Sequence, residues 1–219
     1  MTRPRAWIGR SRWMALWYVL ISMPLVPVAH RRPIWVPLGR TQGELSNDKN
    51  SGCDREALGR SRGGLTTKIV LTADRRARPV SRVITAGQRH DSISFERVMA
   101  GIRILRHGPG RPRATPRHLL GDKAFSNKAI RRYLRRRGIT ATIPEPADQI
   151  KHRRQRGRGG GRPPAFDTER YKQRNVVERC NNKLKQFRGV ATRYDKREYM
   201  YQAAVDVASI RIWLKDPVS

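Results

Sequence analysis

The chain has 219 residues, the length of one ordinary domain, and a formal charge of +31 from 48 Lys and Arg against 17 Asp and Glu. Self-repulsion at that charge disfavours a compact state unless a polyanion compensates it, so nucleic acid is the expected partner. Only Cys53 and Cys180 occur, far apart and without metal-ligand spacing, which excludes a disulfide framework and a zinc site and points to a reducing cytoplasm.

Trp13 to Ala29 form an apolar run behind Arg3, Arg5, Arg10 and Arg12. The run is short for a membrane span and is interrupted by Pro24 and Pro27, so no membrane attachment is expected. Arg31 to Arg55 has no sustained periodicity and reads as loop. From Leu58 the character changes. Thr67 to Thr72 reads as a strand, Asp74 to Pro79 as a turn and Val80 to Thr85 as a second strand, together a hairpin. Asp91 or Ser92 is expected to cap a helix carrying Phe95, Val98, Met99 and Ile102, with Glu96 in its first turn. His90, beside Asp91, reads as a structural residue or a DNA contact.

After a Pro, Gly and Arg-rich loop from Arg106 to Arg117, His118 to Gly121 form a short buried strand that ends at Asp122. Ser126 or Asn127 caps the next helix, with Ile130, Tyr133 and Leu134, which ends at Gly138. Ile139 to Ile143 is a further strand, stopped by Pro144. Residues 151–164, rich in Arg and Gly, are too polar to pack and are expected to form a mobile phosphate-binding loop. Asp167 or Thr168 then caps a long helix that runs past Lys185. A last helix, about Glu198 to Leu214, is apolar at Tyr201, Ala204, Val205, Ala208 and Trp213.

The helix through Lys185 carries the clearest chemical signal. At about 100° per residue, Tyr171, Arg174, Glu178 and Lys185 fall within an arc of roughly 60°, while Val176, Val177, Cys180, Leu184 and Phe187 cluster on another. One helix thus buries an apolar stripe and presents an aromatic, two cations and one carboxylate. Asp122, at a strand end, and Glu178, on a helix face, are candidate ligands for divalent ions in phosphoryl transfer. Each also has an ordinary structural use: Asp122 as a turn residue, Glu178 in a helical salt bridge with Arg174 at i−4. Their combination favours the chemistry.

Tyr171, Arg174, Glu178 and Lys185 resemble the Y-x2-R-x3-E-x6-K signature of bacterial insertion-sequence transposases with a DDE catalytic centre. Asp122, in Gly121-Asp122-Lys123-Ala124-Phe125, resembles the family's second aspartate, and the blocks Gly59 to Lys68 and Gly87 to Ser92 are similar as well. The resemblance implies an α/β fold, a ribonuclease H-like mixed sheet flanked by helices, over residues 56–215. It implies Asp122 and Glu178 as catalytic metal ligands for two Mg²⁺ or Mn²⁺ ions, and Tyr171, Arg174 and Lys185 as DNA contacts. The implied reaction is cleavage at the element's ends followed by strand transfer into target DNA. The implied partners are element ends, target DNA and further copies of the chain on DNA, in the bacterial cytoplasm at the nucleoid.

The family's first aspartate is expected near Leu20 to Pro27, where the sequence has no acid; the first one in the chain is Glu44. Residues 1–55 are therefore set apart as a truncated or frameshifted segment outside the family pattern, with no identifiable first strand. Ser22-Met23 is where a shifted frame would hide an Asp codon. The alternative reading is a basic nucleic-acid-binding protein, or transposase remnant, without catalysis.

Overall fold

A computed structural model of the chain describes residues 17–22, 26–27, 56–61, 64–105 and 109–215. The loop expected over 31–55 lies outside them, as do Arg106 to Gly108 of the later loop and the basic N-terminal residues. The framework is a mixed sheet. Its strands are β1 (Trp17–Ser22), β2 (Val26–Pro27), β3 (Gly59–Ser61), β4 (Gly64–Ala73), β5 (Pro79–Ala86), β6 (His118–Gly121) and β7 (Thr140–Thr142). The long strands run in the order β5-β4-β1-β6-β7. β4 is antiparallel to both of its neighbours, whereas β1, β6 and β7 are mutually parallel. β2 and β3 pair with the start of β4.

This corrects the expectation that no first strand is identifiable. Trp17–Ser22 sits between β4 and β6, with Val19 paired to Ala73 on one side and to Leu120 on the other. Its continuous apolar run is easily read as a targeting segment. Among the described residues no helix is long and apolar enough to cross a membrane.

Strand alternation sorts the core into two layers. Ile69, Leu71, Ala73 and Leu120 face α5 (Asn175–Lys185) and α7 (Glu198–Lys215), and meet Val177, Cys180, Leu184, Tyr201 and Val205. Val70 and Leu119 face the opposite side, where α1 (Phe95–Ala100) and α2 (Lys128–Arg136) contribute Phe95, Val98, Ile130 and Leu134. The Cys180 thiol is buried among apolar groups, which push its pKa up to about 12 and keep it unreactive.

Helix starts differ in detail from expectation. A 3₁₀ turn, Asp91–Ser94, precedes α1, and His90 caps it by accepting from the Ser92 N–H; Asp91 is committed to Lys68 instead. Asn127, and not Ser126, caps α2. Residues 151–164 are not simply a loop: α3 (Ala147–Gln155) and a 3₁₀ turn, Gly157–Gly160, occupy their first part. α3 buries no residue, so the sequence carries no apolar period there to mark it.

The long helix expected from Asp167 is two helices. Asp167 caps α4 (Thr168–Lys172) by accepting from the Arg170 N–H, and α5 starts at Asn175. Between them Arg174, Val176 and Val177 donate to Tyr171, Gln173 and Arg174, three residues back, a tightened 3₁₀-type junction. α6 (Arg188–Ala191) and the fully buried Arg193, which donates to the Thr67 hydroxyl at 2.7 Å, then lead into α7.

Phe125 is fully buried, packs on Phe95 at a ring-centroid distance of 6.2 Å and ends the 3₁₀ turn that starts at Asp122. Phe125→Ala is expected to lower the unfolding free energy by about 3–5 kcal/mol, measured by urea denaturation.

Candidate active site

Asp122 is positioned by the alternation of β6. Leu119 faces α1 and α2 and Leu120 faces α5 and α7. Gly121 turns back toward α1 and α2, where a Cβ would stand 3.1 Å from Ile143 and 3.8 Å from Phe125. Asp122 therefore leaves the strand on the α5 side. Its Oδ1 accepts from the Lys123 N–H at 2.7 Å, which fixes the carboxylate at the start of the 3₁₀ turn Lys123–Phe125.

Glu178 reaches the same place from the first turn of α5, whose buried Val176, Val177, Cys180 and Leu184 fix the helix against the sheet. Arg174, at the α4–α5 junction, stands between the two acids. One terminal guanidinium nitrogen lies 3.8 Å from Asp122 Oδ1 and the other lies 3.2 Å from Glu178 Oε1. The Arg174 guanidinium is also 5.5 Å from the Tyr171 ring, which packs on Phe166 at 5.1 Å. Burial raises the Tyr171 phenol above its ordinary pKa; Arg174 opposes this, and Asp122 and Glu178 add to it. Both ordinary uses foreseen for the acids are thus realised, the turn at Asp122 and the i,i+4 pair at Glu178, and one cation joins them.

Asp122, Tyr171, Arg174 and Glu178 are brought together. Lys185 is not: it is exposed at the end of α5, seven residues and about 10 Å along the axis from Glu178. Beside Asp122 opens a cleft of about 530 Å³ lined by His90, Lys123, Asn127, Lys128 and Gln149. Lys123 and Lys128 carry no spacing signal of their own and become visible only once α2 is seen to start at the site.

The side chains are partly exposed, Asp122 at 37%, Arg174 at 27% and Glu178 at 53%, so water screens the clasp and each pair contributes on the order of 0.2–1 kcal/mol. Both acids direct one oxygen at Arg174, leaving Asp122 Oδ2 and Glu178 Oε2 for a further ligand. Mg²⁺ is commonly held by one or two carboxylates, with water and substrate phosphate completing its octahedron, and two carboxylates are the donor type it takes. Among the described residues no three His, Cys, Asp or Glu side chains form a metal-binding group.

A family model described as the transposase DDE domain matches residues 44–209. The chain belongs to that family. The matched part of this transposase DDE domain contains Asp122, Tyr171, Arg174, Glu178 and Lys185, and β1 and β2 precede it. No curated protein matches the chain.

At the other end of β6, His118 Nδ1 lies 3.4 Å from the Arg170 guanidinium of α4. Burial lowers the His118 pKa, and Arg170 and Arg117 push it the same way. As pH falls, the unfolded chain takes up this proton first. The contribution to stability is therefore complete above the ordinary imidazole value of about 6.5 and declines below it. His118→Asn is expected to flatten that decline. Melting temperatures of both chains between neutral and mildly acidic pH test this, and equal slopes would count against it.

Proposed function

We propose that the chain is the catalytic domain of an insertion-sequence transposase, which binds element ends and cuts and joins DNA strands with divalent metal ions. The observation that carries the reading is the convergence of Asp122 and Glu178, 56 positions apart in sequence, on the Arg174 guanidinium. The strand order, with β4 alone reversed and one acid at the end of a central strand, supports a ribonuclease H-like sheet. In this reading Asp122 and Glu178 hold Mg²⁺ or Mn²⁺. The bound ion supplies charge stabilisation at the phosphate and a more acidic water.

The chain's own residues do the rest. Tyr171 offers a ring for stacking, Arg174 a bidentate phosphate contact, and Lys185 a point charge further along the strand. Lys123 and Lys128, at the rim of the cleft, carry the DNA path past Asp122. The formal charge of +31 supplies sequence-independent affinity, and copies of the chain assemble on DNA in the cytoplasm.

A second reading, DNA binding without cleavage, is favoured by one observation. The β1–β6 register pairs Leu20 with Gly121, so the next register position of β1 is Ile21, next to Asp122, and no residue of β1 is acidic. Two carboxylates can hold one ion; the two expected from the resemblance need a further acid. Incubating the chain with DNA carrying the element's ends and Mg²⁺ separates the readings. Nicking that is lost in Glu178→Ala supports the enzyme, and binding without nicking supports the second reading. Equal nicking by wild type and Glu178→Ala would remove the assignment of the acid pair. Ile21→Asp is expected to raise Mg²⁺-dependent nicking by about tenfold or more, because ligands of one site act as a unit.

Binding has its own signature. Lys185→Ala is expected to weaken DNA affinity equally for all sequences and to reduce the salt dependence by about one counterion, read from binding isotherms at several ionic strengths.

A further inference from the structure

We propose that Arg174 is a resident counter-ion, occupying the divalent-ion position between Asp122 and Glu178 until a DNA phosphate draws it out, so that metal binding and DNA binding strengthen each other. The proposal rests on reading the two acids as metal ligands.

The geometry supplies the competition. A guanidinium carries donors only and has no lone pair to offer a metal, so it cannot share the site as a ligand. With its two terminal nitrogens 3.8 Å from Asp122 Oδ1 and 3.2 Å from Glu178 Oε1, Arg174 already spans the gap that an ion held by both acids would fill. Two carboxylates and one guanidinium leave a single net negative charge there. A divalent ion entering beside Arg174 would turn that positive within a chain already at +31. Arg174 has to move, and its surroundings allow it. The clasp is screened by water and therefore weak, and the Tyr171 ring lies 5.5 Å away as an alternative seat.

A DNA phosphate changes the balance because arginine binds it through two parallel hydrogen bonds, a stronger contact than either half-exposed pair. Phosphate thus removes the competitor for the acids and adds an oxygen ligand for the ion. By linkage, metal must raise DNA affinity by the same factor as DNA raises metal affinity.

Titration of the full chain with Mn²⁺, followed by calorimetry or by the spin resonance of free Mn²⁺, tests this with and without a short DNA duplex. Without DNA, Arg174→Ala is expected to bind Mn²⁺ about tenfold more tightly than wild type, with Arg174→Lys between them. Adding duplex should raise the wild-type affinity by a similar factor and leave Arg174→Ala nearly unchanged. A gain in affinity cannot arise from misfolding. Affinity in Arg174→Ala that is unchanged or weaker overturns the proposal. So does a DNA-driven gain that persists in Arg174→Ala, which would mean that phosphate acts on the ion alone. Asp122→Asn and Glu178→Gln separate the deeper failure: if both bind Mn²⁺ as wild type does, the acids are not ligands, and the metal reading falls together with the counter-ion.

Discussion

A sheet covered by helices on both faces leaves its strand ends as the places where a charged side chain can reach water. Most of this fold follows from that constraint. β6 has four residues, and the last three are fixed by what lies above or below them: Leu119 toward α1 and α2, Leu120 toward α5 and α7, and Gly121 by the close approach of Ile143. The first position free to carry a charge on the α5 side is Asp122. The helix that must cover Leu120 is the one that carries Glu178, so burying the core and bringing the acids together are the same event. A one-residue slip of β6 would send its last side chain to the opposite face and dissolve the pair.

Charge balance explains why the acids meet through a cation. With 48 basic residues and 17 acidic ones, most carboxylates here find a positive partner. Asp91 pairs with Lys68, Glu145 with Arg153, Asp206 with Arg82 and Glu56 with Arg197. In each of these one acid is matched to one base, which is the expected surface arrangement in a basic protein. Arg174 differs in standing between two acids at once. In the proposed reading, that pairing of two acids on one guanidinium is the feature that singles out this place in an otherwise basic chain.

The sequence made the local parts of this legible and hid the non-local ones. β4, β5, β6 and β7 stood out because turn residues bound each run: Asp74 to Pro79 between β4 and β5, Pro144 after β7. β1 was hidden because Trp17 to Ser22 carries no apolar–polar alternation, and Pro24 and Pro27 made its run look like a failed membrane segment. α3 was hidden for the opposite reason, having no apolar face. The break between α4 and α5 has no Gly or Pro to announce it; the backbone at Gln173 and Arg174 stays helical and only the hydrogen-bond partner changes. At the site, the spacing of Tyr171, Arg174 and Glu178 was visible as one helix face. The contact from Arg174 to Asp122 was not, because sheet order creates it. Lys185 illustrates the limit of such arithmetic: a shared arc on a helical wheel leaves two turns of separation along the axis.

The central place of β1 ties stability to chemistry. Its pairing with both β4 and β6 makes it the strand through which the two halves of the sheet are joined, and an apolar sequence serves that joining well. In the proposed reading an acid beside Asp122 would serve metal binding instead, adding a third negative charge where one guanidinium now stands between two. With Ile21 at that position in the sequence, the acids that meet here are two, with one guanidinium between them. With an acid there, the three carboxylates would carry one more uncompensated negative charge, which a bound divalent ion would offset. The two demands compete for the same residue, and in this chain the sheet has the position.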